Sequence, residues 1–218
     1  RGTRLLAILG PSGDGKSSVA RAGLLTELER RPLSFAQQES FGLPAHVVIM
    51  KPGAHPLAAL KEALPSEALA GPLILLVDQF EEIYTQCTDQ EERDAFLERL
   101  LADASAPDCC TLVVLTLRTD WIGETSRQHP KLNRLFDEQA QLVTAMNSDE
   151  LRRSISEPAA RLGRPIDGVT IELLLREAQG HDGALPLLEF ALTQLWEGRL
   201  AGKEPADTLR EIGGVGGA

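Results

Sequence analysis

Apolar residues recur along this chain in two rhythms, and the place where one gives way to the other marks its organisation. Short continuous apolar or β-branched runs occupy Leu5–Leu9, His46–Met50, Leu73–Val77 and Thr111–Leu117, with Leu142–Met146 as a fifth candidate. Continuous runs of this length suit parallel strands covered on both faces. Between them the apolar spacing lengthens to three and four. Val19, Leu24, Leu25 and Leu28 share one stripe, and Phe96, Leu97, Leu100 and Leu101 share another within Asp89–Asp103. Pro56–Ala63 has the same rhythm until Pro65 interrupts it. From Ser148 onward only the helical rhythm remains, over Asp149–Leu162, Val169–Gln179 and Leu185–Leu195, broken by Gly163-Arg164-Pro165 and by Gly180-His181-Asp182-Gly183. Strands alternating with helices predict an α/β fold: an open parallel sheet of about five strands, sandwiched by helices and followed by a C-terminal helical lid. The predicted boundaries are a core over residues 1–147, a lid over 148–211, and the start of a further domain over 212–218.

The turn after the first run carries the strongest chemistry. Gly10-Pro11-Ser12-Gly13-Asp14-Gly15-Lys16-Ser17 fills every fixed position of the phosphate-loop pattern GxxxxGK[ST], with a strand before it and a helix after it. A glycine-rich turn lets successive backbone N–H groups converge on phosphate oxygens while the helix points its positive end at the same anion. In such a loop Lys16 reaches the β- and γ-phosphates, Ser17 gives a hydroxyl to Mg²⁺, and Ser18 is placed to donate to the α-phosphate. The expected fold is therefore that of a P-loop NTPase, with nucleotide and Mg²⁺ as its ligands.

Hydrolysis also requires a fixed metal and an oriented water. Asp78, directly after the third run, can hold Mg²⁺, and Glu81 or Glu82 can orient the attacking water. The bland alternative makes Asp78 a helix N-cap with acidic residues favouring the helix dipole. Arg118, just past the fourth strand, is placed to contact a γ-phosphate, against the alternative of a surface ion pair with Asp120. Arg134 is a weaker phosphate candidate and reads as part of a solvated helix face. Pro186 lies in the first turn of a lid helix, where its missing N–H is harmless. His129 and His181 read as surface residues rather than ligands.

Composition narrows the setting. The chain has 218 residues, 43% of them hydrophobic, enough to bury one substantial core and a small second lobe. A formal charge of −10 argues against a nucleic-acid partner, which calls for a basic stripe. Cys87, Cys109 and Cys110 offer neither a disulfide framework nor metal-ligand spacing. No run is long enough to span a bilayer and no signal peptide is visible, so the expectation is a cytoplasmic protein without a membrane partner. The chain lacks an initiator methionine, begins its first strand almost at once, and closes on a glycine-rich stretch, so both ends are expected to continue in a longer parent.

Taken together, Gly-Pro-Ser-Gly-Asp-Gly-Lys-Ser-Ser-Val-Ala-Arg-Ala-Gly-Leu-Leu, Pro-Gly-Ala-His-Pro-Leu-Ala-Ala-Leu, Val-Asp-Gln-Phe-Glu-Glu, Leu-Thr-Leu-Arg-Thr-Asp and Gly-Ala-Leu-Pro-Leu-Leu-Glu-Phe-Ala-Leu resemble, in order, the nucleotide-binding domain of STAND NTPases, specifically the bacterial novel STAND branch. The resemblance covers nearly the whole chain. It implies that Pro186 contacts the nucleotide and that Arg118 senses the γ-phosphate. It further implies an ATP/ADP-controlled switch in which closed, ADP-bound monomers open on sensing a signal, exchange nucleotide and form homo-oligomers, with an N-terminal effector and a C-terminal sensor array flanking the switch. Two departures stand out. The family's upstream Gly-Arg segment, which helps to bracket the base, is not in this chain, and Ile212–Ala218 resembles only the beginning of the winged-helix domain that follows in relatives.

The first functional expectation is thus a slow, Mg²⁺-dependent ATPase acting as a regulatory switch. The alternative is a non-hydrolysing interaction module that holds ADP. A small-molecule kinase would call for a second substrate pocket and a basic lid, and a constitutive ring ATPase for an arginine supplied across a subunit contact; Arg134 is too weak a candidate for that.

Overall fold

The computed structural model describes residues 3–30, 45–65, 71–106, 111–178 and 184–214. It divides into two compact units, a sheet unit of residues 1–11 and 15–143 and a helical unit of residues 144–218 together with 12–14.

The sheet unit is built on five parallel strands: β1 Leu5–Gly10, β2 His46–Met50, β3 Leu73–Val77, β4 Thr111–Arg118 and β5 Ala140–Leu142, in the order β2-β3-β4-β1-β5. Side chains alternate between the faces of a strand, and both faces of β1, β3 and β4 are covered, which is why these runs are apolar, whereas the edge strands β2 and β5 are partly exposed. Leu5, Ala7, Leu9, Leu75, Val77, Val113, Leu115 and Leu117 point to one side. Ile8, Ile74, Leu76 and Val114 point to the other.

The second face is covered by helix α1, residues 16–30, through Ala20 and Leu25 with Leu24 and Leu28 beside them. Within α1 the segment Val19–Leu25 is π-helical, a wider turn that is frequent at functional sites. The first face is covered by α2 Pro56–Ala63, α3 Glu82–Thr85, α4 Gln90–Ser105, α5 Ile122–Gln128 and α6 Pro130–Gln139, through Leu60, Ile83, Phe96, Leu97, Leu100, Leu132 and Phe136 among others. Asp89 caps α4 by accepting from the N–H groups of Glu91 and Glu92, a local reason for the helix to begin there.

The fifth strand departs from expectation. It lies at Ala140–Leu142, ahead of the predicted Leu142–Met146. Val143 N–H still bonds Leu9 O, but Asn147 and Glu150 form a capping box that starts the next helix, leaving no length for a strand through Met146.

The helical unit comprises α7 Ser148–Arg161, α8 Gly168–Ala178, α9 Ala184–Leu200 and α10 Pro205–Ile212 around Ile155, Ile171, Leu174, Leu175, Leu188, Ala191, Leu195 and Leu209. α10 was not anticipated as a separate helix. It opens with proline in its first turn and closes on Gly213 in the left-handed conformation, and its Thr208 packs tightly enough that a Cβ on Gly198 would meet Thr208 Oγ1 at 2.4 Å. The Gly180–Gly183 break with His181, the pair Cys109-Cys110, and Val215–Ala218 of the expected further domain lie outside the described residues. Among the described residues no helix is long and apolar enough to cross a membrane.

Candidate functional site

The carboxyl ends of β1, β3 and β4 bring Lys16, Ser17, Asp78, Glu81 and Arg118 together. Gly10 ends β1 in register with Arg118 of β4. Its lack of a side chain is required by close approach, because a Cβ there would lie 2.7 Å from Val143 O and 3.3 Å from Lys16 Cγ. Gly15 takes φ 81°, a left-handed conformation open to glycine, and turns the chain into α1 at Lys16. Lys16 is buried, with 8% of its surface exposed, and its Nζ donates to Pro11 O. Gly13 is also left-handed, whereas Pro11, Ser12 and Ser18 are exposed and Asp14 is half-buried.

Asp78 follows β3 and is 1% exposed. Its Oδ1 accepts from Ser17 Oγ at 2.7 Å and from Thr116 Oγ1 at 2.7 Å, while its Oδ2 accepts from Arg21 Nη2 at 2.8 Å. Burial pushes this carboxyl up, but the hydroxyls of Thr116 and Ser17 and the Arg21 guanidinium together outweigh it and hold Asp78 below the usual carboxylate range. It does not cap a helix; α3 begins four residues later with no side-chain cap.

Thr116 and Arg21 were not foreseen as site residues, although each left a trace. β4 is inserted between β1 and β3, so the phosphate-loop helix and Asp78 meet only across it. Thr116 is the polar break in the run Leu112–Leu117, on the Val114 face that α1 covers, and it bridges that gap. Its Oγ1 also accepts from Gln79 N–H at 2.8 Å, and its carbonyl from Phe80 N–H at 2.9 Å. These bonds clamp the turn after β3 and hold Gln79 at φ 56°, a conformation unfavourable for a side-chain-bearing residue. Arg21 stands four residues after Ser17 and therefore shares its helix face.

The two glutamates separate. Glu81 is buried, its Oε2 accepts from Arg118 N–H at 3.4 Å, and burial raises its carboxyl above the usual value despite that bond and the nearby charges of Lys16 and Arg118. Glu82 turns away and accepts from Gly53 N–H at 3.1 Å, fastening the loop between β2 and α2. The Arg118 side chain forks onto Asp120, with Nε donating to Oδ1 at 3.1 Å and Nη2 to Oδ2, so the surface ion pair weighed for it is present. Tyr84, in α3, stacks on Trp121 at 5.7 Å and nearly parallel, which ties the segment after Asp78 to the segment after Arg118.

His129 corrects the sequence reading. Its side chain is 12% exposed, lies 6.1 Å from the Tyr84 ring centroid and faces Asp94, because it closes α5 against this aromatic stack. Arg134 is exposed on α6, and Pro186 is exposed in the first turn of α9 within the helical unit. Among the described residues no group of three or more His, Cys, Asp or Glu side chains could hold a metal ion. Ser17 and Asp78 instead present adjacent oxygens, the hard donors that a magnesium ion takes when it keeps most of its water and its nucleotide oxygens.

A sequence profile of the family described as Novel STAND NTPase 1 matches residues 1–218. The chain belongs to that family. It is a nucleotide-binding NTPase domain. No curated protein matches it as a relative. Among solved structures, the ORC2 protein of Aeropyrum pernix in its ADPNP–ADP complexes is similar at TM-score 0.66 and 17% identity, over 96% of this chain and 62% of that one. A Walker-type ATPase of Pyrococcus abyssi reaches TM-score 0.57 at 15% identity, over 96% of this chain and 67% of that one. A point mutant of RuvB from Thermotoga maritima reaches 0.57 at 14%, over 95% and 62%. At these identities the likeness is one of fold, and this NTPase domain spans about three-fifths of the ORC2 protein's length.

Proposed function

We propose that this domain is the ATP/ADP-controlled switch of a larger cytoplasmic signalling protein, binding nucleotide with Mg²⁺ and hydrolysing ATP slowly. The observation that carries the reading is the 2.7 Å bond from Ser17 Oγ to Asp78 Oδ1, which unites the phosphate loop with the acidic end of β3 across an intervening strand.

In this reading the backbone N–H groups of the loop from Gly10 to Ser18 and the Lys16 ammonium bind the phosphates. Ser17 and Asp78 would hold the metal, whose chemistry when bound is to neutralise charge on the phosphate oxygens. Glu81 orients the attacking water, and its burial supports that role by making its carboxylate more basic than an exposed one. Glu82 keeps its post at Gly53 as a structural residue. Arg118 exchanges Asp120 for the γ-phosphate when ATP is bound, and Pro186 packs against the base or ribose. Differential affinity of ATP and ADP for two arrangements sets the switch, and flanking effector and sensor domains with homo-oligomerisation complete it.

A second reading, a module that holds ADP and does not turn over, is favoured by the engagement of Arg118 with Asp120. Titration calorimetry with ATP and with ADP, each with Mg²⁺, followed by analysis of the recovered nucleotide, decides between them. Binding with slow turnover is expected. Binding without turnover selects the ADP-holding module, and binding of neither nucleotide overturns both readings.

A further inference from the structure

The carboxylate at the end of β3 has a partner that the proposed metal role leaves unused. Ser17 and Arg21, one helical turn apart on α1, both reach Asp78 but take different oxygens: Ser17 shares Oδ1 with Thr116, and Arg21 holds Oδ2. The two partners also differ in freedom. The Asp78 side chain is 2% exposed and pinned by two hydroxyls, whereas the Arg21 side chain is 47% exposed and approaches from the solvent side. Its guanidinium can therefore swing away without repacking the core, while the carboxylate stays in place.

The Ser17 hydroxyl is compatible with a cation, because its oxygen lone pair can face a metal while its O–H still donates to Asp78 Oδ1. The Arg21 guanidinium is not. It claims the oxygen that a water of a hydrated divalent cation would otherwise reach, and it adds like charge beside that cation.

We propose that Arg21 is a tethered cation that competes with the divalent metal for Asp78. With no metal, it compensates a carboxylate that would otherwise be buried and unpaired. On metal binding it releases Oδ2 and turns to solvent. The affinity for metal is thereby set below what Ser17 and Asp78 alone would provide, and by reciprocity a bound metal weakens the Arg21–Asp78 bond by the same factor. The inference rests on the reading of Asp78 as the carboxylate on the metal side of the site.

The test is a titration of the ADP-loaded chain with Mn²⁺, with free Mn²⁺ read by electron paramagnetic resonance, so that no turnover is needed. Arg21→Gln is expected to raise the Mn²⁺ affinity about five- to tenfold over the wild type, the usual span of a modest coupling between sites. Arg21→Lys, which keeps the charge but loses the planar fork, should change it less and in the same direction. It decides the matter if the glutamine variant does not fold. Unchanged or weakened Mn²⁺ binding in the variant that decides would overturn the proposal and make Arg21 a strut that holds Asp78 in place. Asp78→Asn separates the two levels of argument. If it binds Mn²⁺ as the wild type does, the metal reading itself falls and the competition falls with it; if it loses Mn²⁺ and Arg21→Gln shows no gain, only the competition falls.

Discussion

The sheet unit buries some of its charged side chains, whereas the helical unit keeps its ion pairs on the surface. In the sheet unit Asp78, Glu81 and Lys16 are almost wholly removed from solvent. Asp78 is bonded on both oxygens by Ser17, Thr116 and Arg21, and Glu81 by the Arg118 N–H. In the helical unit the ion pairs Arg152–Glu172, Arg153–Glu157, Lys203–Glu211 and Arg210–Asp207 all lie on the surface. Exposed pairs gain little over their hydrated separation, so that unit draws its stability from apolar contact around Leu174. Burying a charge is unfavourable, and the sheet unit does it where the proposed chemistry requires a desolvated, immobile group.

The contrast breaks most visibly at Lys16. Lys16→Ala should weaken nucleotide binding by at least about a hundredfold, read by calorimetry, since it removes a charged contact to the phosphates. Normal ATP binding by that variant would remove the phosphate loop from the site. Next comes Glu81→Gln, which should preserve nucleotide binding and slow hydrolysis by about a hundredfold or more. Glu82→Gln sharpens that result, because it should leave turnover in place and lower only stability, through the Gly53 contact; equal losses in turnover would undo the separation of the two residues.

In the helical unit Leu174, fully buried, should lose about 2–5 kcal/mol on truncation to alanine, measured by denaturant unfolding. Arg153→Ala in the same unit should leave the melting temperature within the scatter of repeat measurements. A comparable loss in both would mean that the surface pairs matter as much as the core.

Smaller again is Arg118→Ala, which should narrow the gap between ATP and ADP affinity by about tenfold while leaving ADP binding nearly intact. Equal loss for both nucleotides would make Arg118 a general phosphate contact.

The smallest effect expected is on the acid limb of stability. Burial holds His129 below its usual 6.5, Asp94 pulls it up and Arg93 pushes it down. The unfolded chain then binds the proton more readily. His129 accordingly contributes stability that is complete above about pH 6.5 and is lost as the pH falls through its folded value. His129→Gln should flatten that part of the profile in urea melts at stepped pH. An unchanged slope between pH 7 and pH 5 would show that this histidine is not buried in its neutral form.

The sequence by itself was enough for the phosphate loop, the four longer strands, the helices α1, α2 and α4 and the change to an all-helical segment, because these are local. A strand buried on both faces must be apolar throughout, and a loop that receives phosphate must carry glycine where the backbone turns left-handed or where, as at Gly10, another segment of the backbone passes close by. It also yielded Asp78 and the glutamate pair, since acidic residues directly after a buried strand stand out. Tertiary structure alone decided what meets what. The insertion of β4 between β1 and β3 gives Thr116 its place under Asp78, a relation between residues thirty-eight positions apart that no local spacing reveals. Adjacent glutamates of one type part because the chain turns through Gln79 and aims Glu81 at β4 and Glu82 at Gly53. His129, isolated in sequence, is largely covered because the Tyr84 ring, itself stacked on Trp121, comes to it from another segment. Periodicity reports which face of an element is covered, and only packing decides what covers it.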